Sequence, residues 1–83
     1  MSAYKHSFPP SATLAYAIRM VEGGWDPRAA IAQAAIEHGH EQAEEAAAQV
    51  KNQLRAGHTK DMGVWLRAAK RAMAQIKSIE ARQ

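Results

Sequence analysis

The chain runs to 83 residues with a net charge of +3, and nineteen of its apolar residues are alanine against one Phe, two Trp and two Tyr. That length supports one domain with a thin core; alanine favours helix but buries little area, and the shortfall favours a homodimer in which a second copy completes the burial. The absence of cysteine excludes disulfides, thiolate metal ligands and cysteine nucleophiles, while no apolar run nears the roughly 20 residues of a membrane span and no leader pattern follows Met1, so a soluble, cytoplasmic protein is expected.

Residues 1–10 show no helical period and close on Phe8-Pro9-Pro10, where each proline removes a backbone donor and pushes the preceding residue toward extended geometry. They read as an arm, with Tyr4 and Phe8 as the side chains able to dock it on the domain or on a partner. Residues 11–83 then form a single helical domain. Helices are predicted over about 11–22, 27–38, 41–56 and 60–82, an all-α bundle of four helices with the last one longest. Ser11 is placed to cap the first helix. Leu14, Ala17, Ile18 and Val21 make its apolar stripe, and Gly23-Gly24 ends it. Tyr16 and Met20 lie off the stripe, which marks this helix as central or as a contact for another protein.

Trp25-Asp26-Pro27 opens the second helix. Asp26 caps it through its carboxylate, Pro27 suits the first helical position, and Trp25 is expected to staple back onto Ala30 or Ile31. Ile31, Ala34, Ala35 and His38 share a face, and Gly39 stops the helix close to the start of the next, which demands a tight corner. Glu41, Glu44 and Glu45 fill the first turns of the third helix, where the dipole favours carboxylates. Ala43, Ala46, Ala47, Val50 and Leu54 form its buried stripe, and Gly57 is its expected stop. Thr59 or Asp61 caps the fourth helix. There Met62, Trp65, Leu66, Ala69, Met73, Ile76 and Ile79 recur at three- and four-residue steps, the helical period. Arg67, Lys70, Arg71 and Lys77 fall on another side of the same cylinder.

Catalysis has little to stand on. Ser2, Ser7, Ser11 and Ser78 lie in the arm, at a cap and on the last helix, with no Asp–His pair placed to activate them, and Gly23-Gly24 belongs to no phosphate-binding loop. A non-enzyme is expected, with no cofactor and no small-molecule substrate. His6, His38, His40 and His58 lack the i, i+4 spacing that holds zinc on a helix, so no metal site is expected. Ala35 and Gly39 have the spacing of a helix-turn-helix corner, but the helix that would enter the major groove begins with Glu41, Glu44 and Glu45, which phosphates repel.

Charge is segregated along the chain: residues 1–24 carry +1, residues 25–50 carry −4 and residues 51–83 carry +6. Lys51, Arg55, Lys60, Arg67, Lys70, Arg71 and Lys77 are the candidates for a surface that binds a phosphate backbone without reading bases, or an acidic patch on a protein. The expectation is a non-enzymatic binding or regulatory module that associates with nucleic acid through the basic face of the C-terminal helix. What discriminates is whether these cations converge or are neutralised by Glu41, Glu44 and Glu45 on folding. In size, lack of cysteine and lack of a site the chain also resembles the small accessory proteins that phages and plasmids encode to inhibit or redirect a host protein. That resemblance implies a protein partner, with Tyr16, Met20, Tyr4 and Phe8 as the candidate interface. No membrane partner is expected, because the apolar stripe is needed for the core.

Overall fold

The computed structural model describes residues 8–55 and 61–82; Tyr4, Gly57, His58, Thr59 and Lys60 lie outside them. The described chain is all-α, with helices α1 (Pro10–Glu22), α2 (Pro27–His38), α3 (His40–Gln53) and α4 (Met62–Ala81), α4 being the longest.

The helix ends follow from side chains and backbone geometry. Asp26 accepts hydrogen bonds from the Arg28 and Ala29 amides at 3.0 and 3.3 Å, and Asp61 accepts one from the Val64 amide at 3.1 Å. Both therefore satisfy donors that a first helical turn leaves without an intrahelical partner. α1 ends with Gly24 at φ 108. The Trp25 amide reaches back to the Met20 carbonyl and the Gly24 amide to that of Val21, the paired bonds of a Schellman stop. α2 and α3 are separated by Gly39 alone, at φ 103.

Boundaries depart from the sequence reading at the start of α1, at the end of α3 and at the start of α4, which begins at Met62 behind its Asp61 cap and not at residue 60. Ser11 is not the cap of α1: Pro10 takes the first helical position, where its missing N–H costs nothing, and Pro9 becomes the cap without a side-chain bond. α3 stops at Gln53, short of residue 56, because Leu54 turns to extended backbone at φ −90 and ψ 149.

α1 and α3 each pack against the other three helices, whereas α2 and α4 scarcely meet. The cross-section is thus a rhombus, with α1 and α3 on its short diagonal. α4 runs antiparallel to α1, since Glu80 meets Ser11 and Lys70 meets Glu22. The centre holds the predicted stripe of α1 (Leu14, Ala17, Ile18, Val21) with Ala46 and Val50 of α3 and Trp65, Ala69 and Ile76 of α4. The α4 seam is nevertheless rotated from its expected position. Ala68 and Ala72 are fully buried and Leu66 and Met73 only half-buried, while Met62 and Ile79, in the first and last turns, are 43% and 47% exposed. Alanines let helix axes approach closely, so the seam centres on them and the larger side chains move to its margins.

Trp25 departs furthest from expectation. It is 44% exposed and takes no part in the core cluster that Ala30 and Ile31 join. The Schellman stop fixes its backbone and the Asp26 carboxylate caps α2, while the indole keeps nearly half of its surface in water.

The position Ser11 gives up as a cap is used differently. Its hydroxyl donates to Glu80 Oε1 at 2.7 Å, and its amide donates to Glu80 Oε2 at 3.3 Å. A carboxylate from the last turn of α4 thereby serves as the side-chain cap of α1, where helix polarity favours negative charge. Glu80→Ala should lower stability by about 1–2 kcal/mol, the scale of losing a helix cap. Urea unfolding would show it as a lower midpoint at unchanged slope; an unchanged midpoint would mean that water replaces the carboxylate without cost.

Candidate functional site

α4 places its cations by helical arithmetic. Trp65, Ala68, Ala69, Ala72 and Ile76 face inward, so Arg67, Lys70, Arg71 and Lys77 project from the opposite half of the cylinder, and all four are exposed. Gly63, Ala74, Ser78 and Ala81, exposed and small, lie among them. The helix carries a single carboxylate, Glu80, and it is turned away to Ser11. The outer face of α4 therefore presents cations and small side chains without an acid of its own.

Two of these cations have partners on neighbouring helices. Lys70 Nζ lies 3.4 Å from Glu22 Oε2, both groups being largely solvated, and such a pair contributes little to stability. Arg71 spans the α3–α4 seam, with Nε donating to Gln53 Oε1 at 3.4 Å and Nη2 donating to the Gln53 carbonyl at 3.3 Å. It thus satisfies a carbonyl that the end of α3 leaves open, and places a cation where the helix dipole favours one. Arg67 and Lys77 have no carboxylate within pairing distance among the described residues. Glu41, Glu44 and Glu45 neutralise none of the described cations by direct pairing.

The other predicted cations are not gathered with these. Lys51 stands with Arg28 at the rim of a groove of about 370 Å³ between α2 and α3, floored by Ile31, Ala47, Val50, Leu54 and Trp65. Arg55 is exposed just beyond the end of α3, and Lys60 lies outside the described residues. Arg28, whose role only this topology defines, had no signal in the sequence beyond its charge.

Of the predicted protein-contact residues, Met20, Tyr16 and Phe8 make contacts within the fold, and Tyr4 lies outside the described residues. Met20 packs against the core cluster. Tyr16 leans on His38 with ring centres 5.0 Å apart, and Phe8 stacks on the same imidazole at 4.0 Å and 11°. His38 Nδ1 shares a 3.0 Å hydrogen bond with the buried Thr13 hydroxyl. The end of the arm is thus held against α1 and α2 through one histidine. No three His, Asp or Glu side chains among the described residues are grouped to hold a metal ion, and no described helix is long and apolar enough to cross a membrane.

Comparison with known proteins gave no matching family model, no matching curated protein and no matching solved structure.

Proposed function

We propose that the protein is a non-enzymatic module that associates with nucleic acid through the outer face of α4, contacting phosphates and not bases. The observation that supports this reading is that α4 places no carboxylate of its own on the face presenting Arg67, Lys70, Arg71 and Lys77, and that Glu22 of α1 meets only Lys70 there. From Arg67 to Lys77 the helix rises about 15 Å. A duplex offers one phosphate charge per roughly 1.7 Å of its axis, so these cations meet phosphates in any register. Gly63, Ala74 and Ser78 between them keep the face low enough for a sugar–phosphate backbone to approach. Nothing on the face has the fixed, paired donors and acceptors that base reading requires.

Retention on random duplex DNA across a salt series tests the reading. Each neutralised phosphate contributes about −0.9 to the log–log slope. Replacing Arg67, Lys70 and Lys77 together with alanine should flatten that slope by about two to three units and weaken unrelated duplexes equally. Arg71 is left in place because it also holds Gln53. The helix should persist, alanine being the strongest helix former. Failure of the parent protein to bind duplex or single strand even at about 50 mM salt would reassign this face to an acidic protein surface.

A further inference from the structure

α2 is apolar on two sides. Ala30 and Ala34 are buried, yet Ala29, Ala32 and Ile36 are exposed, Ile36 at 73%. A helix of that kind has a second apolar surface to cover. Beside it, the edge of α3 that borders the groove carries Glu44 and Lys51, both exposed, with Ala47 and Ala48 between them. Seven residues are two helical turns, about 10.5 Å, so Glu44 and Lys51 share an edge but are too far apart to pair with each other. Neither has a charged partner among the described residues.

That edge is self-complementary. A two-fold axis perpendicular to α3, passing between Ala47 and Ala48, brings a second copy of the helix antiparallel across the first. Each Glu44 then faces Lys51 of the second copy, and the alanines at the centre allow close approach. The parallel alternative would set Glu44 against Glu44 and Lys51 against Lys51, which charge forbids. α2 runs beside α3 from the Gly39 joint, and its Ile31 lines the groove together with Ala47. The same rotation therefore passes near Ile31 and carries the exposed Ile36 toward the Pro27–Leu54 end of the second copy's groove. Charge and apolar surface select one geometry, an isologous pair.

We propose that the α2/α3 face is the surface through which two copies of this chain associate, with reciprocal Glu44–Lys51 pairs and the Ile36 edge closing over the groove. The inference stands apart from the nucleic-acid reading, because this face is not the outer face of α4 and its test uses protein alone.

Sedimentation velocity over a concentration series on the parent, on Glu44→Lys, on Lys51→Glu and on an equimolar mixture of the two variants decides the matter. The parent should dimerise. Each variant alone should associate at least tenfold more weakly, since both of its pairs become like-charged. The mixture should form a heterodimer about as tight as the parent, because each introduced charge then faces its opposite. Circular dichroism on each variant checks that the helices persist. A parent that stays monomeric at high micromolar concentration overturns the proposal. So does a dimer indifferent to either substitution, or a pair of weakened variants that mixing does not restore.

Discussion

Trp65→Ala is expected to leave the domain largely unfolded, whereas Trp25→Ala should be nearly silent. Trp65 is 6% exposed and belongs to the core cluster, where it also floors the α2/α3 groove. Truncating a buried large aromatic costs about 3–5 kcal/mol. For a chain of 83 residues the whole stability is only about 4–12 kcal/mol, so one substitution removes much of it. Trp25 has nearly half its surface in water and no place in the cluster, and its replacement should stay within about 0.5 kcal/mol, as surface changes do. Urea unfolding followed by far-ultraviolet circular dichroism separates the two. Equal losses for both tryptophans would contradict this division of roles.

The second large effect comes from adding volume. Ala72 is fully buried on the seam of α4, among a core built mainly of alanines. Ala72→Leu must push α4 off its neighbours or force strained rotamers, at a cost of about 3 kcal/mol. Ala74, two residues on and exposed, is the matched control, since leucine nearly equals alanine in helix propensity and has nothing there to strike. A lower unfolding midpoint for the first variant and not the second would show that close helix approach holds this core together. If both variants unfold with the parent, the seam has slack that these contacts do not suggest.

Much of this architecture is legible without coordinates, and the failures have definable causes. Leu14, Ala17, Ile18 and Val21 repeat at helical spacing and are buried as read. Asp26 and Asp61 sit where cap chemistry puts them. Periodicity misjudged α4 because it weighs side chains by size, while the closest approach of two axes is governed by the smallest ones, and Ala68 and Ala72 moved the seam away from Leu66 and Met73. The end of α3 falls earlier than read because Leu54 leaves helical geometry, and the Gln53 carbonyl is met by a guanidinium eighteen residues further along. The Ser11–Glu80 bond, across 69 residues of sequence, could have been suspected only from Glu80 being the lone acid in a basic helix. For the cations, spacing alone grouped Arg67, Lys70, Arg71 and Lys77 correctly, because they share one helix. It had no means of seeing that Lys51 looks out from a different side.

The joint at Gly39 makes the relation between α2 and α3 a matter of integers. One residue in a conformation essentially confined to glycine links the two helices, and no slack remains to absorb a change of length. Each residue of an α-helix turns it by about 100°. An inserted residue would rotate α3 so far that Ala43, Ala46 and Val50 left the core, and the glutamate and lysine edge would swing with them. Substitution at this joint is a matter of degree, but insertion or deletion is a change of phase. What α3 offers to the outside is therefore written in the length of a link one residue long.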